Sequence, residues 1–421
     1  MAALATVVSP ATAHASDVLW GRPFAPTSIW NRPLPPDATL LDVGPKPVVN
    51  GVFPDPVHLV RTSQDDPVVD VIQAGGWLNR CSGTKPTGLK TRLPVSLLIA
   101  DVTTRAQQPN SHLVVLQPDG HTIVQVAAAA RCAPGGPLYG YVYGPANATS
   151  DIRGDGQAGT HASQLSALGG IIRAGELTSA APIRHALDIE LDERANYWWG
   201  GSQSTCFQWP ATSCDDYAGK SYGYHGTDAR LRIGALLAIP ATVGAADLGI
   251  TTDIGRKLYD ALRNYGAYAT ESAAWPAYNL AVESGADTFP FEPTARAELQ
   301  RLIAALRVVA DNGPSVGSRA TAAVAVANAD ASNEPVVTTD TPVVTQAPAL
   351  APAPEIIAAA PSRGSVRTRS VARPSSISAT APTPVVPESP VPLALPVTAV
   401  GLMSIWVWRR ARSRHHRSQV S

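Results

Sequence analysis

Lysine is scarce in this chain. It stands only at positions 46, 85, 90, 220 and 257, and arginine carries the rest of the positive charge. Basic and acidic residues balance at 33 each, a formal net charge of +0. A chain without an excess of one sign has no bulk attraction to phosphate backbones, so no nucleic-acid partner is expected. The arginine and alanine bias fits a GC-rich genome and carries no mechanism.

Several chemical signatures are missing as well. The four cysteines, Cys81, Cys132, Cys206 and Cys214, contain no CxxC step. That excludes a cysteine zinc cluster built on tight pairs. An even count in an exported chain favours disulfides instead. Cys206–Cys214, which closes a short loop, and Cys81–Cys132 are the expected pairs. No G-x-S-x-G elbow marks a hydrolase serine. Asp151 and Asp155 lack the D-x-D-x-D-G spacing of a calcium loop. No metal and no cofactor are expected from these motifs.

What is present centres on residues 151–192, where a glycine-rich loop leads into an alternating strand. Over 183–192, Ile183, His185, Leu187, Ile189 and Leu191 share one face, and Arg184, Asp188 and Glu190 share the other. Period-two alternation predicts a half-buried strand. Residues 230–239 repeat the pattern, with Arg230 and Arg232 on the polar side. Two half-wet strands predict antiparallel pairing, which would bring Arg230 and Arg232 near Asp188 and Glu190. The glycine loop reads as tight turns over a sheet edge. It also carries His161, and loops on a rigid scaffold often carry function. His185, on the apolar face, reads as a satisfied core residue.

Around this stretch, runs at 93–102, 112–116, 122–126 and 140–143 read as further strands, and Asp119-Gly120 marks a hairpin turn. Residues 17–56 read as an extended segment pinned by Trp20, Phe24 and Trp30. Helical spacing appears at 253–265 and again at 294–309, with Thr252 or Asp253 and Thr294 as caps. The expected architecture is mainly β: an antiparallel, jelly-roll-like β-sandwich over residues 16–313 with two covering helices. Between them, residues 193–228 are rich in aromatics. Tyr197, Trp198, Trp199 and Trp209 are either a sugar-stacking surface or a lid packed on the sandwich.

The ends of the chain differ in composition. Residues 1–15 read as a secretory signal closed by Ala13-His14-Ala15. Residues 314–390, rich in Pro, Ala, Thr and Ser, have no aromatic and no cysteine, and read as a disordered stalk. Residues 391–408 are uncharged and precede a basic tail at 409–421. They read as a transmembrane segment with a cytoplasmic tail. Alternatively, 395–399, LPVTA, is a sortase sorting signal and sortase is a partner.

The blocks PFAPTSIWNRPLPPDA, HASQLSALGGIIRAGEL with PIRHAL, LGITTDIGRKLYDALRNYGAYATES and LQRLIAALRVVADNGPSVG resemble a widespread group of secreted bacterial proteins of no settled function. The resemblance covers residues 24–317 and implies one secreted domain. It carries no catalytic assignment. That group usually has His-Gly-Gly-Ser where this chain has His161-Ala162-Ser163-Gln164.

Together these features point to a cell-surface protein that binds or cleaves extracellular polysaccharide. A lyase would use His161 as base with Arg184 or Arg230 neutralising a uronate. A hydrolase would draw two carboxylates from Glu176, Asp188 and Glu190. The competing expectation is a non-catalytic adhesion or envelope protein whose charge row is merely solvated.

Overall fold

The computed structural model describes residues 20–104, 109–143, 145–285 and 293–314. The expected signal, stalk, anchor or sorting signal, and tail lie outside the described residues. No helix among the described residues is long and apolar enough to cross a membrane.

Short β-prone runs between turn residues build twelve strands. They are β1 Val52–Arg61, β2 Val68–Gln73, β3 Pro86–Arg92, β4 His112–Leu116, β5 Thr122–Ala130 and β6 Leu138–Tyr141, then β7 Thr149–Asp151, β8 Leu187–Leu191, β9 Leu236–Ala238, β10 Ala267–Ser272, β11 Tyr278–Glu283 and β12 Arg307–Val308. Among the described residues, four α-helices accompany them: α1 Pro145–Ala148, α2 Glu193–Asn196, α3 Asp253–Asn264 and α4 Pro293–Ala305. The sheet order is β12-β9-β10-β8-β11-β1-β4-β5-β6-β2-β3, with β7 paired to β5. The chain is therefore mainly β, as the sequence predicts.

Pairing is mixed, which corrects the expectation of an antiparallel sheet. Strand β1 runs parallel to both β11 and β4, β8 parallel to β10, and β2 parallel to β6. The expectation rested on half-wet strands, and β8 is not half-wet: every one of its residues is buried. Strands buried on both faces suit parallel neighbours. The predicted strand at 230–239 shrinks to β9, which pairs with β10 and β12 and not with β8.

Local sequence sets other elements as expected. Strands β4 and β5 form a hairpin around Gly120, which adopts a positive φ of 78°. The Asp119 carboxylate accepts from the Thr122 amide at 2.8 Å and closes the turn. Thr252 caps α3 by accepting from the Gly255 amide, and Gly266 follows its end at φ 78°. Helix α4 stops at Ala305, short of the predicted 309, because Arg307–Val308 joins the sheet edge as β12. Buried Glu298 of α4 accepts from the Thr251 amide at 2.7 Å and from the Thr251 hydroxyl at 2.8 Å, tying the two helices together. Both expected disulfides form, Cys81–Cys132 and Cys206–Cys214.

The sheet is covered on both faces. On one, Leu187, Ile189 and Leu191 pack with Leu258 and Leu262 of α3, Leu299 and Leu302 of α4, and the disulfide loop. On the other, Val57, Val114 and Ala281 pack beneath Phe24, Trp30, Leu165 and Leu168. Strand β5 carries the chain onward through a register shift near Ala128, whose φ is 49°. Its first half pairs with β4 and its second with β6.

Trp30 locks the glycine-rich loop to that second face. Its indole Nε1 donates to the Gly156 carbonyl at 2.9 Å. A Cβ on Gly169 would stand 2.1 Å from the Trp30 ring, and one on Gly170 would stand 2.6 Å from the Asp188 amide nitrogen. Gly169→Ala is therefore expected to lower stability by about 1–3 kcal/mol through overpacking. Chemical denaturation measures this, and an unchanged midpoint would contradict the close approach.

Candidate functional site

A row of polar side chains crosses the sheet beneath the glycine-rich loop. The five neighbouring strands β10, β8, β11, β1 and β4 supply Thr270, Asp188 with Glu190, Asn279, Asp55 and His112. Alternation puts these residues on the face opposite Leu187, Ile189 and Leu191. Asp55, His112, Asp188, Glu190 and Thr270 are buried, and the loop above adds buried Thr160 and His161. The alternation seen in the sequence is real, but its polar side meets protein and not water. Burying such groups is unfavourable unless each finds a partner.

One half of the row is built on histidine. His161 Nε2 lies 2.9 Å from Asp188 Oδ2. The two atoms do not meet hydrogen-bond geometry, so the contact is a close ion pair. The Thr270 hydroxyl donates to the other Asp188 oxygen. His161 Nδ1 faces Glu271 Oε2 at 3.7 Å, and Glu271 also accepts from the Ala162 amide at 2.8 Å. The His112 ring stands edge-on to the His161 ring with centroids 4.4 Å apart, and its Nδ1 meets the Thr160 hydroxyl at 3.1 Å. Burial by itself depresses both imidazoles. For His161 the carboxylates of Asp188 and then Glu271 overcome that and raise it to about 10. For His112 burial prevails, reinforced by the charges of His161 and Arg80, and the ring is held well below its ordinary value.

The other half is a carboxyl pair. Asp55 and Glu190 lie close enough for each to shift the other, and both are pushed up chiefly by burial, Asp55 to about 6. The Asn110 side chain donates to Glu190 Oε1 at 3.0 Å and its backbone amide donates to Asp55 at 3.0 Å. The Asn279 amide donates to Glu190 Oε2 at 2.6 Å. Two carboxyls this close in a dry site hold a proton between them.

The row reaches solvent through Glu271. A register shift in β10 between Ala269 and Glu271 places Glu271 opposite Glu190. Such a bulge lets consecutive residues, Thr270 and Glu271, both face the site. The Glu271 side chain is 13% exposed, against 0% for His161 and Asp188. Tyr143 and Tyr217 stand close enough for the Glu271 charge to help raise both phenols, after burial and, for Tyr217, Asp215. Tyr217 stacks on exposed Tyr222 with centroids 5.9 Å apart. A rim of tyrosines thus stands beside Glu271, with the Tyr217 hydroxyl donating to the neighbouring Ser272 hydroxyl at 2.9 Å.

The structure divides the residues singled out in the sequence. His161, Asp188 and Glu190 belong to the row. Glu176 pairs with His185 at 3.1 Å in a separate place. Arg184 is exposed, and Arg230 forms an exposed pair with Asp228 at 2.6 Å. Neither arginine joins Asp188 and Glu190, because 230–232 lies in a turn before β9 and not in a strand beside β8. Tyr197 is a core residue, and its hydroxyl donates to the Glu271 carbonyl at 2.8 Å. Trp198 lies under Arg232 at 4.4 Å, and Trp199 and Trp209 pack against the two cores. Tyr197 and Trp199 thus lie with the core of the helix-covered face, and Trp209 with the core on the face of the row. A small concavity beside Trp30, Asn31, Arg173 and His185 includes no residue of the row.

Sequence reasoning passed over Asp55, Asn110, His112, Glu271 and Asn279. Asp55 sits between two prolines and His112 opens a strand, and neither setting marks a functional group. Compared with protein-family models, curated proteins and solved structures, the chain matches none.

The carboxyl pair makes stability depend on pH. Unfolded Asp and Glu release their protons near pH 4, while folded Asp55 keeps its proton to about 6 and Glu190 is raised further. Between those limits the folded state binds more protons, so stability falls as pH rises through the window. Glu190→Gln preserves the hydrogen-bonding shape and is expected to flatten that fall. Urea denaturation at about pH 5 and about pH 8 measures it. An equal fall in variant and wild type would count against a shared proton.

Proposed function

We propose that this is a cell-surface enzyme that cleaves extracellular polysaccharide, with its acid–base centre at Glu271, His161 and Asp188. The observation that carries this is the buried His161–Asp188 pair beside Glu271, which is 13% exposed and lies near tyrosines. Perturbed titratable groups at the base of an opening are what acid–base chemistry uses. Tyr143 and Tyr222 are 44% and 58% exposed and offer flat faces on which a sugar ring can stack. The two disulfides support export, and an anchor or sortase linkage at 391–408 would then hold the domain at the surface. A jelly-roll-like sandwich belongs to this reading, the shift in β5 being where the sheet would divide into two layers.

Of the two chemistries, β-elimination fits better than two-carboxylate hydrolysis. A hydrolase needs two carboxyls facing one bond. Here Asp188 is closed off by His161 and Thr270, and Glu190 by Asp55, Asn110 and Asn279. Glu271 is the carboxylate that substrate can reach. In a lyase, Glu271 takes the proton beside a uronate carboxyl, the C–H electron pair becomes the new C=C bond, and the glycosidic C–O bond breaks with its oxygen leaving protonated by water, while His161, held by Asp188, stands behind Glu271.

The test is a degradation screen of the full-length protein on uronate-containing and neutral polysaccharides. Unsaturated ends are expected with wild type, and Glu271→Gln should reduce turnover on the order of 10²–10⁴-fold. No product from any polysaccharide, or full turnover in the Gln variant, would overturn the assignment and favour a non-catalytic surface module.

A further inference from the structure

The same histidine cluster has the form of a metal site. His112 and His161 each offer a ring nitrogen and Glu271 a carboxylate oxygen, and these three atoms lie within 4.8 Å of one another. His112 Nε2 and both ring nitrogens of His161 are buried without a hydrogen-bond partner, and of the His161 pair Nε2 lies 2.9 Å from Asp188 Oδ2, which leaves Nδ1 toward Glu271. The opposite nitrogen of each ring is engaged, Nδ1 of His112 with the Thr160 hydroxyl and Nε2 of His161 with Asp188. That engagement fixes which nitrogen of each ring is free to donate a lone pair.

We infer that His112, His161 and Glu271 bind a divalent transition-metal ion, zinc first among them, with an open fourth position toward the tyrosine rim. Two histidines and one glutamate with one open position is a recurring ligand set of catalytic zinc. Nitrogen and oxygen ligands about 2.0–2.2 Å from zinc stand roughly 3.5 Å apart in a tetrahedron. His161 Nδ1 and Glu271 Oε2, at 3.7 Å, already have that spacing. Asp188 then plays the outer-shell part. It holds His161 by its far nitrogen and is itself held by Thr270. Such carboxylate–histidine–metal chains orient the ring and raise its basicity. Asp188 is a positioning residue here.

The inference concerns the site of the glycan reading but stands on side-chain geometry alone, and with the ion bound Glu271 is a ligand and not the base, while the ion replaces the His161 proton as the counter-charge near Asp188. The three ligands come from β4, the glycine-rich loop and β10, so no spacing motif announces them.

The experiment strips the full-length protein with a chelator and reloads it with zinc or cobalt(II). One equivalent of zinc by elemental analysis is expected, together with the strong visible bands of four-coordinate cobalt. His112→Ala should lose that equivalent. Asp188→Asn should weaken binding about 10–100-fold while keeping the cobalt spectrum. If His112→Ala fails to fold, the wild-type cobalt spectrum decides. Weak bands of a six-coordinate ion, no bound equivalent, or undiminished binding in folded His112→Ala would overturn the inference. Zinc bound without any polysaccharide cleavage would keep this site and remove the glycan reading. Cleavage by a protein that takes up no metal would do the reverse.

Discussion

Asp188 must be neutralised where it sits, and much of the architecture follows from that. A carboxylate with no exposed surface is sustainable only with a counter-charge and hydrogen bonds. The counter-charge is His161, which reaches Asp188 from the glycine-rich loop, while Thr270 donates from the neighbouring strand β10. Breaking a buried pair of this kind typically costs about 3–5 kcal/mol, because one charge remains unpaired. The contact therefore fixes three things together: the placement of the loop, the register of β8 against β10, and the exclusion of water from the row.

The loop in turn depends on Trp30. The indole fills the space that Gly156, Gly169 and Gly170 leave by having no Cβ. The Ser163 amide, bonded to the Thr270 carbonyl at 3.1 Å, holds the far side of the loop onto β10. His161 is thereby anchored by backbone on both sides before its ring makes any contact. A loop held this way is a rigid support, which precise acid–base or metal chemistry requires.

On the opposite face the stapled aromatic segment performs a different task. Tyr197 is buried, and its hydroxyl braces the backbone of β10 at Glu271 and of β8 at Leu191. The Cys206–Cys214 bridge lies within the same core as helices α3 and α4. The aromatics near the opening are instead Tyr143, Tyr217 and Tyr222.

How much of this was legible follows the range of each interaction. The Asp119-Gly120 hairpin and the helix that starts near 253 rest on neighbours in the chain and were legible in the sequence, which narrowed the cap to Thr252 or Asp253 and favoured one of three cysteine pairings. The alternation at 183–192 also identified a strand and its polar side, although only 187–191 form β8. Whether that side faced water was a tertiary question: it depends on a loop and an N-terminal segment arriving from elsewhere, and they cover it. The same holds for the site. His161, Asp188 and Glu190 were visible as chemistry-bearing residues in one stretch. Asp55, His112, Asn279 and Glu271 join them only because β1, β4, β11 and β10 are neighbours of β8 in the sheet or close to it. Strand order and parallel pairing come from the burial of whole faces, a sum over distant segments with no local signature. So the sequence determined the kinds of elements and the residues able to do chemistry, and the tertiary structure decided which of those residues meet and which meet only solvent.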